Sequence, residues 1–90
     1  MEQFVQKVNA VLEDAFPEVE VMLAVRKGLR KVGGLLIWTG FAGKSQLERQ
    51  AEVWEVLRTA LSSDEQLNLG TILTVSPQEV AAMEDVAVAA

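Results

Sequence analysis

Trp38-Thr39-Gly40-Phe41-Ala42-Gly43-Lys44-Ser45-Gln46-Leu47-Glu48-Arg49 joins an extended apolar run to an amphipathic one, and its reading decides the fold. Gly43-Lys44-Ser45 between a strand and a helix has the ending of a phosphate-binding P-loop. The spacing excludes it. A P-loop keeps four residues between its glycines so that successive backbone N–H groups wrap the phosphates, and position 38, where the earlier glycine belongs, holds Trp38. The further strands and the metal-holding aspartate of such enzymes are missing as well. Ser45 and Glu48 have instead the Ser-x-x-Glu spacing of a capping box, which predicts a helix starting at Gln46. Two readings of that helix start stand side by side: simple capping by Ser45, or free N–H groups that hold an anion together with Lys44.

Beyond Arg49, Leu47, Ala51, Trp54, Leu57, Ala60 and Leu61, with Val53 alongside, give the helix an apolar face to about Leu61 and make Trp54 a core residue. Ser62 to Gln66 breaks the pattern, and Leu67 to Val75 reads as a strand weakened at Gly70. Ser76-Pro77-Gln78-Glu79 combines a second capping box with proline at the first helical position, so a short last helix starts there, with a tail that frays after about residue 84.

Before Trp38, Leu35 to Phe41 is an extended apolar run. The preceding Lys27 to Gly34, with three glycines and three basic residues, suits a solvated turn. Val19 to Arg26 alternates, with Val21, Leu23 and Val25 on one face and Glu20, Met22 and Arg26 on the other, as a half-buried strand does. From Glu2 to Ala15, Phe4, Val5, Val8, Val11 and Leu12 form one helical stripe, which Pro17 ends near Asp14 or Ala15.

The fold class is therefore α+β, in the order α-β-β-α-β-α, with a mixed three-stranded sheet and helices on one face. The first two strands form a hairpin, the second and third run parallel through a right-handed helical crossover, and the second lies in the middle. Leu35 and Ile37 share one face of the second strand and Leu36 and Trp38 the other, so both faces are apolar. The face without helices is either covered by the tail or last helix, or open to a partner or a second copy of the chain.

Ninety residues are enough for one core, so positions 1–90 form a single domain. The chain has no Cys and no His, which excludes a disulfide framework and a thiolate metal site and fits a reducing cytoplasm. Without Tyr either, the usual general bases and thiolate nucleophiles are absent, and Glu13, Asp14, Glu48, Glu52 and Glu55 read as solvated charge. A non-enzyme without cofactor is expected. The longest apolar run, Val32 to Trp38, is too short to span a membrane, and no basic-then-apolar signal opens the chain, so a soluble, uncleaved protein is expected.

The net charge of -5 is unevenly spread. Arg26, Lys27, Arg30, Lys31, Lys44 and Arg49 face only Glu48 among residues 26–49, and every other Asp and Glu lies outside that segment. A basic central patch on an acidic body follows. The hairpin cations Arg26, Lys27, Arg30 and Lys31 suit a nucleic-acid backbone or simply a solvated turn, and only Trp38 and Phe41 lie near them as aromatics.

Phe41-Ala42-Gly43-Lys44-Ser45, followed by Leu47, Arg49, Val53 and Leu57, resembles the BolA family, with its Phe-x-Gly turn leading into a helix that has arginine near its start. Leu69 to Val75 and Ser76-Pro77-Gln78-Glu79 resemble that family's last strand and final helix start. The resemblance covers nearly the whole chain. It implies a fold akin to KH nucleic-acid-binding domains, and roles in transcriptional control or in iron-sulfur handling with monothiol glutaredoxins. It assigns Phe41, Gly43 and Ser45 to the turn, Arg49 to an exposed contact, and Ser76, Pro77 and Glu79 to the last helix start. The chain departs from the family pattern where histidines are usual, with Gln50 after the helix arginine and Asn68 before the last strand, and its hairpin loop has neither Cys nor His. Amides are poor substitutes for imidazole or thiolate on such a cluster. Two functions follow as expectations. One is a regulatory or adaptor domain engaging a protein partner, such as a glutaredoxin-like protein, without cluster ligation. The other is a nucleic-acid-binding regulator using the hairpin, Lys44 and Arg49.

Overall fold

The computed structural model describes the backbone of residues 2–26, 28 and 30–89 and the side chains of these up to Met83. Helix α1 (Glu2–Ala15) ends just before Pro17, and Glu18 turns the chain through a left-handed φ of 67° into β1 (Glu20–Arg26). Strand β2 (Lys31–Ile37) returns antiparallel to it, and a 3-10 turn (Thr39–Phe41) leads into α2 (Gln46–Ala60). A one-turn helix α3 (Ser63–Gln66), strand β3 (Leu69–Val75) parallel to β2, and helix α4 (Pro77–Ala89) complete the chain. The sheet order β1-β2-β3 places β2 in the middle, as the crossover argument requires. The last helix is longer than expected: its backbone stays helical to Ala89, past residue 84, after which the tail is expected to fray.

Strand β2 differs from expectation at both ends. It begins at Lys31, not at Leu35, so Gly33 and Gly34 lie inside the sheet and not in the turn. The reason is close approach between strands. A methyl group at Gly34 would overlap the Met22 carbonyl oxygen on β1, and one at Gly33 would sit 2.7 Å from the Thr71 oxygen on β3, where the β2–β3 register shifts. At its other end β2 stops at Ile37, and Thr39 to Phe41 coils tightly, because Phe41 turns inward to complete burial in the core.

Helix α2 begins at Gln46 behind the full Ser45–Glu48 capping box. Its buried face is Arg49, Val53 and Leu57; Leu47 is exposed, and Ala51 and Ala60 face solvent. The expected stripe is thus rotated by less than a quarter turn of the wheel, with Val53 and Leu57 common to both faces and Trp54 half-buried at its border. Ser62 to Gln66, expected to be irregular, carries its own capping box between Ser62 and Glu65. The core joins Val8, Leu12 and Phe16 of the α1 side to Val32 and Leu36 of β2, with Val53 and Leu57 above and Ile72 beside them. Burying each of these side chains contributes roughly 1.5–3 kcal/mol. Among the described residues, no helix is long and apolar enough to cross a membrane.

Gly34→Ala should therefore destabilise the domain by about 3 kcal/mol or more, since the obstacle is backbone and cannot rotate away. Gly28→Ala, in open space, should be near neutral. Urea denaturation of the two variants checks the contrast.

Candidate functional site

Phe16, Trp38 and Phe41 stack edge-to-face, with the Trp38 ring 5.0 Å from Phe16 and 5.2 Å from Phe41. The Trp38 indole N–H donates to the Pro17 carbonyl at 2.8 Å, so this half-buried ring ties the α1–β1 turn to the end of β2. Gly43 adopts φ 80°, the left-handed backbone a Phe-x-Gly turn needs, and Ser45 caps α2. The turn's amides point inward. Phe41 N–H donates to Trp38, Ala42 to Thr39, Lys44 to Phe41, and Ser45 to the Glu48 carboxylate. That carboxylate stands where an anion would bind, so the capping reading of this helix start accounts for the geometry. Gly40-Phe41-Ala42-Gly43 also has the Gly-x-x-Gly spacing by which KH domains grip nucleic-acid backbone, but three of its surrounding amides are already engaged and Phe41 is wholly buried.

The basic patch expected from the sequence is divided. Arg26 and Lys31 face each other across the hairpin, and exposed Arg30, with φ 52°, closes its turn; Lys27 lies outside the described residues. Lys44 is at the far end of β2, about 20 Å away along the strand. There it is half-buried, 2.6 Å from Glu52 and 5.9 Å above the Trp38 ring. Arg49 is corrected outright: it is not an exposed contact but 5% exposed. Its guanidinium donates to the Lys44 carbonyl at 3.0 Å, the Thr74 carbonyl at 3.1 Å and the Glu79 carboxylate at 2.7 Å. Helical periodicity places residue 49 on the inward side with Val53 and Leu57, and that signal was available in the sequence.

Strand β3 is a sheet edge. Val75 accepts from Trp38 N–H, so the alternate carbonyls of Ile72 and Thr74 point away from β2 and need other donors. The side chains of α2 supply them: Gln46 and Arg49 donate to Thr74, and Gln50 donates to Ile72 at 2.8 Å. The Gln50 amide oxygen in turn accepts from the Trp54 indole.

On the other side of the sheet no helix packs among the described residues. Met22 and Leu73 remain more than half exposed there, with Leu35 between them as the register partner of both. They line a shallow cavity of about 340 Å³ together with Arg26, on the side that Lys31 shares by pairing.

No protein-family model and no curated protein matches the chain. Among solved structures, BolA1 from Arabidopsis thaliana superposes with a TM-score of 0.68 at 17% identity, covering 88% of this chain and 98% of its own. The BolA domain of SufE1 from the same plant gives 0.59 at 20% identity, covering 82% of this chain and 92% of its own. This is the BolA fold. Within it, the position where the BolA resemblance anticipates histidine after the helix arginine holds Gln50, whose amide is committed at both ends to Ile72 and Trp54. Asn68, at the second such position, donates weakly to Asp64. Neither residue fits a cluster ligand.

In this BolA fold, Arg49→Met should cost about 1–3 kcal/mol, through the stranded Lys44 carbonyl and the loss of one of the two donors to the Thr74 carbonyl, which keeps Gln46. The Arg49 guanidinium, helped by the Ser76 backbone N–H, holds the Glu79 carboxyl below its ordinary 4.5. A carboxyl lowered in the folded state contributes stability that is present above 4.5 and lost as pH falls through the lowered value. Denaturant midpoints should thus fall below that pH in the native chain. Arg49→Met should flatten the fall without abolishing it, since Glu65 is lowered similarly by Lys7 and the Ser62 backbone.

Proposed function

We propose that residues 1–90 act as one BolA-like regulatory or adaptor domain that docks a protein partner on the bare face of the sheet, in the cytoplasm and without a catalytic step. The observation that carries this reading is the pairing of an apolar stripe, Met22, Leu35 and Leu73, with two cations, Arg26 and Lys31, set directly opposite each other. Like charges in that position are destabilising, and no described carboxylate pairs with them; an acidic partner relieves the repulsion while its apolar side covers the stripe. The partner class suggested by the BolA resemblance is a monothiol glutaredoxin, bound here without a shared cluster because the chain offers it no imidazole or thiolate.

Nucleic acid is the second reading, favoured only by the hairpin cations. The strands carry no aromatic residue on which a base would stack, Arg49 is buried, and Lys44 is paired with Glu52.

Calorimetric titration with a cluster-free monothiol glutaredoxin should show binding that Leu73→Glu or the pair Arg26→Glu/Lys31→Glu weakens at least about tenfold, roughly 1.4 kcal/mol. Anaerobic reconstitution of the mixture should yield no stable mixed cluster. The reading fails if such a cluster forms, or if the chain instead binds DNA or RNA with steep salt dependence and ignores the glutaredoxin.

A further inference from the structure

Helices α1 and α2 do not close completely over the core. Between them runs a furrow of about 610 Å³, floored by Val11, Phe16 and Val56 and rimmed by Asp14, Glu52 and Glu55, with no Lys or Arg in its lining. It is larger than the cavity on the bare sheet face and shares no residue with it. Its origin is in the sequence. Val11 and Ala15 on α1 face Val56 and Ala60 on α2, each pair four residues apart, and the two alanines are too small to fill the space between the helices.

We infer that this furrow is a second protein-docking site and that it takes a basic amphipathic helix. An apolar trough flanked by carboxylates on both walls matches a helix with an apolar stripe and Lys or Arg on either side of it. Lys44 neutralises Glu52 at 2.6 Å, leaving Asp14 on one wall and Glu55 on the other without an ion-pair partner among the described residues. From Glu52 to Thr59 the trough runs about 10 Å along α2, the length of two helical turns, so the occupant needs anchors at i, i+4 and i+7. A second copy of the chain does not supply such a helix. Its cations are concentrated on the hairpin, Arg49 is buried, and the apolar stripe of α1 is spent on its own core.

The site stands independently of the bare face, and the test separates them. The probe is a fluorescein-labelled Leu/Lys peptide of about 18 residues with leucines at helical spacing. Its controls are a scrambled peptide of the same composition and a Leu/Glu version of the original. Anisotropy should show the Leu/Lys helix binding at least about tenfold more tightly than either control. Amide shifts in labelled protein should concentrate at residues 11–16 and 52–60. The exposed, isosteric pair Asp14→Asn/Glu55→Gln should weaken binding about fivefold, whereas Leu73→Glu on the bare face should leave it unchanged. Equal binding of the scrambled peptide would reduce the effect to attraction by net charge and overturn the inference. So would shifts centred on the sheet face, or no binding at about 1 mM peptide, a limit near 4 kcal/mol.

Discussion

Arg49 is the constraint on which the α2, β3 and α4 side of the molecule depends. A guanidinium presents five donors in a rigid plane, and here that plane meets a loop carbonyl at Lys44, a strand carbonyl at Thr74 and a helix-capping carboxylate at Glu79. The loop before α2 and the β3–α4 junction, about 30 residues further along the chain, are thereby fixed around one side chain. Glu79 closes the arrangement by accepting from the Ser76 N–H, so the start of α4 is positioned by the same group that pins α2 to β3. A lysine, with one charge point on a flexible stem, would satisfy one of these acceptors and release the others.

The same contact solves the edge problem of β3. An edge strand with outward carbonyls is a template for pairing with another chain, and α2 covers it with a row of polar side chains at Gln46, Arg49 and Gln50. This explains why the flank of α2 toward β3 is polar, with Arg49 buried and Gln50 half-buried, and why Thr74 is tolerated in the core: its hydroxyl donates to Gln46 and its carbonyl is doubly engaged. The glutamine at position 50 is therefore occupied with structure. A histidine there would be free to turn outward only if another donor took over the Ile72 carbonyl.

Elements whose ends are determined by local chemistry were legible in the sequence. Pro17 stopping α1, Ser45 and Glu48 starting α2, and Ser76-Pro77 starting α4 each depend on a few neighbouring residues. The strand order and directions followed from the crossover rule. What was not legible depends on distant partners. Gly33 and Gly34 resemble turn glycines until the neighbouring backbones at Met22 and Thr71 are known to press on them. The inward side of Arg49 was legible from its spacing to Val53 and Leu57, but the three acceptors that converge on it were not. The candidate cations were identifiable as residues, yet their grouping was not, because sequence proximity joined Lys31 to Lys44 while β2 holds them apart at opposite ends. The missed helix α3 is different: Ser62 and Glu65 carried the same capping signal as Ser45 and Glu48, and only its brevity hid it.

The separation of charge then acquires a meaning that net charge does not convey. The bare sheet face ends in Arg26 and Lys31, whereas the furrow of the helical layer is rimmed by Asp14, Glu52 and Glu55. Fields of opposite sign on opposite layers would steer partners of opposite character to different sides, raising the encounter rate of each while discouraging the wrong one. A chain of overall charge -5 would otherwise repel every acidic partner at long range. Arg26, Arg30 and Lys31 together on the hairpin would offset that repulsion at short range, where the screening length in physiological salt, about 8 Å, lets the local patch outweigh the distant total.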